Sequence, residues 1–174
     1  MGRVTLLERG WVTLPALLAP DESARLTRHY LALIEAGQGQ YDQPELTHRW
    51  WIQDDPAGRE LLLRLTAVVA PLVGRPIKPS YCFACRYFDE AKLPCHVDRE
   101  QCEYSLTLLL AGPSSWPLTL HAPEGPVDIH QRPGDALAYL GRRLPHERPP
   151  LPPGATSLHL FLHWVDEGFV GWLG

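Results

Sequence analysis

The stretch Tyr81-Cys-Phe-Ala-Cys-Arg-Tyr-Phe88 is the first of six short runs in which apolar residues alternate with polar ones or follow one another continuously. Proline and glycine separate these runs, as in Pro133-Gly134-Asp135. Runs of this kind are typical of β-strands, because successive side chains point to opposite faces of a strand and proline and glycine favour turns. The other five predicted strands are Tyr104–Leu110, Trp116–His121, Val127–Ile129, Ala136–Leu140 and Ser157–Val165.

The residues that precede this β-rich region predict two amphipathic helices. In the first, Asp21 is the candidate cap, and apolar residues recur at helical spacing until Gly37. The second begins near Asp55 and ends at Gly74. Residues 38–53, between the helices, are predicted to form a polar loop whose tryptophan pair packs against the protein.

Two helices followed by many short strands predict a mainly β fold with N-terminal helices, in which the helices support a jelly roll. A length of 174 residues is near the size of one ordinary domain. We therefore predict a single domain over residues 1–174, with residues 1–76 as helical support and residues 77–165 as the jelly-roll core.

Composition argues against several classes of protein. The net charge is −4 and no basic run is present, which argues against a nucleic-acid binder. No apolar stretch reaches the roughly 20 residues that cross a membrane. Residues 1–19 lack the pattern of a secretory leader, so we expect a cytoplasmic, reduced protein. A small molecule or a peptide is the expected partner, and the oligomeric state stays open.

Cys82 and Cys85 form a C-x-x-C pair, which is compatible with a zinc clip or a redox pair. On a strand, however, residues three positions apart point to opposite faces. We therefore predict that both are buried thiols, since free cysteine is among the most buried residue types.

His96-Val97-Asp98 places an imidazole and a carboxylate two residues apart, so that both project from the same face of an extended segment. His146, which follows a turn and an apolar strand, is the candidate third ligand. Two histidines and one carboxylate leave one face of an octahedral iron open, which is the arrangement of non-haem Fe(II) oxygenases. Zinc more often closes its site or takes three histidines.

The order of these motifs resembles the 2-oxoglutarate and Fe(II)-dependent dioxygenases, specifically the prolyl-4-hydroxylase-like group. The resemblance covers roughly residues 77–165 and is more specific than any one motif. It runs through Tyr81–Tyr87, Leu93–Glu100, Ser105–Leu110, Pro133–Ala136, Tyr139, His146 and Leu158–Trp164. It implies a double-stranded β-helix, a cupin-like jelly roll, with His96, Asp98 and His146 as the iron ligands at the catalytic centre.

The resemblance also implies the cofactors Fe(II), 2-oxoglutarate and O2. The expected activity is hydroxylation of an amino acid, a peptidyl side chain or a small natural product, coupled to oxidation of 2-oxoglutarate to succinate and CO2. Tyr87 occupies the place of a family tyrosine that hydrogen-bonds 2-oxoglutarate.

One position departs from the family. The arginine or lysine that usually follows the distal histidine by about ten residues, and pairs with the far carboxylate of 2-oxoglutarate, is replaced here by Ala155-Thr156-Ser157. Arg148 and His159 are the first candidates to replace it, followed by Arg99 and Arg86. His159 and His163, which share a strand face, are equally compatible with packing roles. The alternative is a cupin-type metal-binding jelly roll, without catalysis or with different catalysis, that does not use 2-oxoglutarate.

Overall fold

The computed structural model describes residues 6–42 and 47–173 of the chain. In chain order, the elements within these residues are α1 (Leu6–Arg9), β1 (Trp11–Leu14), α2 (Pro20–Glu35), β2 (Gln40–Asp42), β3 (Arg49–Gln53), α3 (Pro56–Val73), β4 (Ile77–Tyr87), β5 (Leu93–His96), β6 (Tyr104–Ala111), β7 (Leu118–Ala122), β8 (Gly125–Ile129), β9 (Ala136–Tyr139), β10 (His146–Arg148) and β11 (Ser157–Asp166). None of the helices in these ranges is long and apolar enough to cross a lipid bilayer.

The strands form two antiparallel sheets. The larger has the order β1-β9-β6-β11-β4-β3-β2, and the smaller has the order β5-β10-β7-β8. The mainly β jelly roll with N-terminal helices that the sequence predicts is therefore confirmed.

The central strands of the larger sheet are buried on both faces. On β11, Leu158, Leu160 and Leu162 belong to a core cluster that also contains residues of α2 and α3. The alternate residues His159 and His163 are buried on the opposite face. This alternation follows from the period of two along a strand, and it reserves one face of the sheet for the helices and the other for the barrel interior.

The start of each long helix depends on a different residue type. Asp55 caps α3, because its carboxylate accepts hydrogen bonds from the backbone N–H groups of Ala57 and Gly58. Gly74 ends α3 in the left-handed conformation, with φ of 78°. The prediction that Asp21 caps α2 is wrong, since α2 begins at Pro20 and its cap position is Ala19. Asp21 lies instead in the first helical turn, where its negative charge interacts favourably with the positive end of the helix dipole.

The predicted loop over residues 38–53 contains a strand pair, so that prediction is wrong. Strands β2 and β3 pair with each other, and β3 pairs with β4. Residues 43–46 of this segment lie outside the described residues. Strand β3 is short and is stabilised mainly by pairing with β4. The local sequence pattern does not reveal this pairing. Strand β1 pairs with β9 in the larger sheet. The region predicted as helical support, residues 1–76, therefore contributes strands as well as helices.

The C-x-x-C prediction is confirmed. Cys82 and Cys85 are both free and buried, and they belong to two different core clusters. The pair is therefore divided between the two faces of β4.

Candidate metal and co-substrate site

The three predicted metal ligands lie together where the smaller sheet opens to the barrel interior. His96 ends β5, His146 begins β10, and the two residues are direct cross-strand partners. The Nε2 atoms of His96 and His146 lie 3.6 Å and 3.5 Å from Oδ1 of Asp98. One donor atom from each residue lies within 4.8 Å of the other two.

Both histidines are held in the orientation that a metal ion requires. Nδ1 of His96 lies 2.8 Å from the carbonyl oxygen of Pro94, and Nδ1 of His146 lies 2.9 Å from that of Leu144. Because a carbonyl oxygen only accepts, each Nδ1 carries the ring proton and each Nε2 presents its lone pair. Two imidazole nitrogens and one carboxylate oxygen facing a shared space fit a divalent metal such as Fe(II).

The Asp98 carboxylate is supported from behind by a hydrogen-bonded chain. Ser105 Oγ donates to Asp98 Oδ2 over 2.9 Å, and His163 Nδ1 lies 3.0 Å from Ser105 Oγ. Since the serine proton points to Asp98, the His163 Nδ1–H donates to the serine oxygen. The backbone N–H of Asp98 donates to the carbonyl of Gly141 over 2.8 Å. Only Oδ1 of Asp98 is therefore left to face the metal position.

The charges of this group are set by burial and by these contacts. Burial would raise the pKa of Asp98, but its close contacts with the His146 and His96 imidazoles outweigh burial and hold the pKa well below its usual range. The contact with Asp98 raises the pKa of His96 against the effect of burial. Burial lowers the pKa of His163 to about 4, so His163 is a neutral donor at pH 7. The ligand carboxylate is thus ionised.

The triad opens into a cavity of about 300 Å³. Its walls are largely aromatic and apolar, and two arginines also reach it. The lining residues beside the triad are Arg49, Tyr81, Phe83, Tyr87, Leu93, Val97, Arg99, Cys102, Leu118, Tyr139, Phe161 and His163. Asp98 is the one acidic residue among these walls.

Arg148 is a buried cation without a carboxylate partner among the described residues. It lies two residues after His146 on the same face of β10, and only 3% of it is exposed. Its Nη1 donates to the carbonyl of Trp116 over 3.3 Å, its guanidinium carbon lies 4.7 Å from the centre of the Trp116 ring, and its Nε has no hydrogen-bond partner among the described residues. Burial lowers the pKa of Arg148. A buried, unpaired charge is destabilising, so this position is suited to an incoming anion.

His159 lies beside Arg148, and Tyr87 packs against His159. Arg148 Nη2 lies 3.5 Å from His159 Nδ1, and His159 Nε2 lies 2.9 Å from Ser157 Oγ. Burial and then Arg148 lower the pKa of His159 well below its usual value, so His159 is neutral. Tyr87 is buried, lines the cavity, and has its ring centre 5.9 Å from that of His159. The structure thus brings the three predicted co-substrate residues together and gives the positive charge to Arg148.

The two remaining arginine candidates are placed differently. Arg99 lines the cavity, with its guanidinium 5.9 Å from the Tyr81 ring centre. Arg86 lies next to Tyr87 on β4, where alternate residues face opposite sides, and its guanidinium packs 5.3 Å from the Phe88 ring centre. Arg86, Arg148 and His159 are not themselves among the cavity walls. His159 packs against the wall residue Tyr87 and contacts Arg148, whereas Arg86 packs against Phe88, so Arg86 is the weaker candidate.

Several site residues were not predicted from the sequence. Arg49 lies on β3, within the segment predicted to be a loop, and its Nε donates to Asp42 over 2.8 Å. Ser105 and Gly141 support Asp98 from neighbouring elements. The aromatic and β-branched residues Trp50, Trp51 and Ile52 were the available signal for β3. Nothing local marks Ser105 or Gly141.

No protein-family model and no curated protein matches this sequence. Solved structures do match its fold. A prolyl-4-hydroxylase from Pseudomonas putida has a TM-score of 0.78 and 20% identity, and the match covers 94% of this chain and 96% of that chain. The epimerase SnoN from nogalamycin biosynthesis, described as dependent on non-haem iron and α-ketoglutarate, has a TM-score of 0.80 and 16% identity, with 92% and 79% covered.

HygX from Streptomyces hygroscopicus, crystallised with nickel, 2-oxoglutarate and hygromycin B, has a TM-score of 0.75 and 15% identity, with 96% of this chain and 87% of that chain covered. The predicted resemblance to prolyl-4-hydroxylase-like dioxygenases is therefore confirmed at the level of the fold. These neighbours include an epimerase and a carbocyclase as well as a hydroxylase.

Proposed function

We propose that this protein is a non-haem Fe(II) and 2-oxoglutarate-dependent oxygenase that acts on a small molecule. The observation that carries the proposal is Arg148, a buried guanidinium without an acidic partner in the described part of the chain, two residues from His146 on the same strand face. A metal-binding jelly roll that does not use an anionic co-substrate has no need of such a charge. The matched folds that bind 2-oxoglutarate support the same assignment.

Each residue of the site has a role in this proposal. His96, Asp98 and His146 hold Fe(II), which supplies the site for O2 activation when it is bound. Arg148 pairs with the far carboxylate of 2-oxoglutarate, and the Tyr87 hydroxyl donates a further hydrogen bond to it. His159 accepts a hydrogen bond from Arg148 and so orients the guanidinium. The role of the family's missing arginine or lysine is thereby moved from β11 to β10.

The cavity favours a compact substrate. Its volume of about 300 Å³ is at the small end of ligand pockets, which commonly span roughly 300 to 1,000 Å³. Phe83, Phe161 and Tyr81 offer an apolar surface beside the metal position, and Arg99 at the wall favours a substrate that also carries a negative group. We propose hydroxylation as the outcome, which predicts a product heavier than its substrate by one oxygen atom. A cytoplasmic location, where thiols stay reduced, suits the four free cysteines.

The first experiment measures succinate formation from 2-oxoglutarate by the iron-loaded protein with ascorbate. The second titrates 2-oxoglutarate anaerobically and follows the charge-transfer absorption of its iron chelate. Arg148→Met is expected to weaken binding at least roughly 30-fold, because a buried charge pair contributes about 2 kcal/mol or more. Arg86→Met, which removes an arginine whose guanidinium packs against Phe88 instead of beside His159, is the matched control and should change affinity less than about twofold.

The same variant also tests the fold. Removing an unpaired buried charge while keeping a similar volume is expected to leave the apoprotein equally stable or more stable. Arg148→Met should therefore unfold at the same urea concentration as the unmodified apoprotein or at a higher one, while it loses 2-oxoglutarate binding. No absorption band with the unmodified protein, together with no succinate, would favour the cupin-type alternative.

A further inference from the structure

A second group of metal-binding side chains lies on the outer face of the smaller sheet. It consists of Cys95 on β5, Glu147 on β10 and His121 on β7, and these strands are neighbours in that order. Glu147 is the cross-strand partner of Thr119, so His121, two residues further along β7, lies on the same face as Glu147. His121 Nε2 lies 2.9 Å from Glu147 Oε1, and one donor atom from each of the three residues lies within 4.8 Å of the others.

We propose that Cys95, His121 and Glu147 form a second metal site that binds Zn²⁺, with water as a fourth ligand. Sulfur, imidazole nitrogen and carboxylate oxygen are the three donor types that zinc takes in proteins. Bond lengths of about 2.0 to 2.3 Å place the donors of a tetrahedral zinc roughly 3.3 to 3.7 Å apart. The His121–Glu147 contact would open slightly and the thiol would approach, movements that exposed side chains make by rotating about their side-chain bonds.

The backbone gives this group the right framework. Three adjacent, hydrogen-bonded strands present the three side chains from one pleated surface, so the backbone positions are set before an ion arrives. The alternation of faces separates this site from the inner one, since Cys95 precedes His96 and Glu147 follows His146. The inner triad contains no thiol, so a thiolate-to-metal charge-transfer band would report on the outer site and not on the triad.

Binding would also tie down the strand that carries His96. Among the described strands, β5 lies at the edge of the smaller sheet and pairs with β10 alone. It contains Pro94, which has no N–H to donate. An ion held by Cys95, Glu147 and His121 would connect β5 with both β10 and β7. The competing explanation is an exposed His121–Glu147 ion pair with an uninvolved thiol beside it, and exposed pairs of this kind contribute little.

Cobalt(II) distinguishes the two explanations, because a tetrahedral thiolate site gives intense visible bands and a near-ultraviolet sulfur-to-cobalt charge-transfer band. We expect these bands when Co²⁺ is added to the full chain, and we expect their loss in Cys95→Ser. Cys102→Ser is the necessary control, since Cys102 lies near Asp98 and His163 in another group of possible ligands. Bands that persist in Cys95→Ser, that vanish in Cys102→Ser, or that never appear would each overturn the proposal.

Zinc stoichiometry gives an independent measurement. Equilibrium dialysis against Zn²⁺ should find two equivalents per chain in the unmodified protein and one equivalent in Glu147→Gln or Cys95→Ser, with the second site weakened at least about tenfold. Asp128→Asn removes a neighbouring acid that hydrogen-bonds Thr119 instead, and it should keep both equivalents. His146→Ala should lose the inner equivalent and keep the outer one. A single equivalent in the unmodified protein, or two in Glu147→Gln, would contradict a second site.

Discussion

The two faces of β5 and β10 carry two sets of similar donor atoms in different surroundings. On the inner face the side chains of His146, Asp98 and His96 are 2%, 15% and 36% exposed, and each has a further hydrogen bond that fixes it. On the outer face His121 and Glu147 are 38% and 39% exposed and contact each other. The comparison teaches that supporting hydrogen bonds and the burial of two of the three side chains, more than donor type, are the reasons to expect tighter metal binding by the inner group than by the outer group.

The largest expected effect is a loss of Fe(II) affinity, and it should occur on the inner face but not on the outer one. His146→Ala removes an inner ligand and should lower Fe(II) affinity by more than the roughly 100-fold that supporting residues contribute. Glu147→Gln, at the next position on the outer face, should leave iron stoichiometry and succinate formation unchanged. Iron content after dialysis measures both, and equal iron retention in the two variants would contradict the inner triad.

Gly141→Ala tests how closely the inner ligand is packed. A methyl group at this position would come well inside van der Waals contact with Asp98 Oδ2 and Ser105 Oγ, and within 2.7 Å of the Cys102 carbonyl. We expect Fe(II) affinity to fall roughly 100-fold and the free energy of unfolding to fall by about 1 to 3 kcal/mol. Iron titration and urea unfolding are the measurements. Unchanged iron affinity would show that the Asp98 carboxylate moves freely.

Ser105→Ala removes the donor to Asp98 Oδ2 without adding volume. Loss of a supporting hydrogen bond to a ligand typically lowers metal affinity about tenfold or somewhat more. Thr107→Val is the matched control two residues along β6, since the buried Thr107 hydroxyl has no hydrogen-bond partner among the described residues. Fe(II) titration should show weakened binding in the first variant alone, and similar affinity in both would remove Ser105 from the support of Asp98.

Tyr87→Phe tests the co-substrate side of the cavity. Deleting one hydrogen bond to a charged acceptor costs about 1.5 kcal/mol, or roughly tenfold in affinity for 2-oxoglutarate. Iron binding should not change, because Tyr87 is not a ligand. The anaerobic chelate titration measures both quantities, and an unchanged co-substrate affinity would assign Tyr87 to the core.

The smallest expected effect is a pH dependence of the free energy of unfolding. Burial and Arg148 hold the pKa of His159 well below its usual value of 6.5. The unfolded chain therefore binds a proton that the folded chain does not, and the free energy of unfolding falls by up to about 1.4 kcal/mol per pH unit as the pH drops below 6.5. His159→Gln removes this contribution. Urea unfolding of the apoproteins at pH 7.5 and 5.5 should show a smaller loss for the variant, and equal losses would mean that His159 is protonated in the fold.

The sequence by itself determined the long strands and the two long helices, and it predicted the three candidate metal ligands that the fold brings together. Strands such as β11 show a period of two in Leu158, Leu160 and Leu162. Asp55 and Gly74 signal the ends of α3 through local backbone chemistry. His96 and Asp98 are recognisable because their spacing alone puts both side chains on one face of an extended segment. Signals of this kind depend on neighbours in the chain, so they can be read before the fold is known.

Tertiary structure decided the short strands and the partners of the buried charges. Strands β3, β5 and β10 have three to five residues, and pairing with distant strands stabilises them more than their own propensity does. The choice between Arg148 and His159 could not be made from spacing. It depends on which group keeps its charge when both are buried. Burial and the neighbouring Arg148 lower the pKa of His159 well below its usual value, so Arg148 is the cation and His159 is its neutral neighbour.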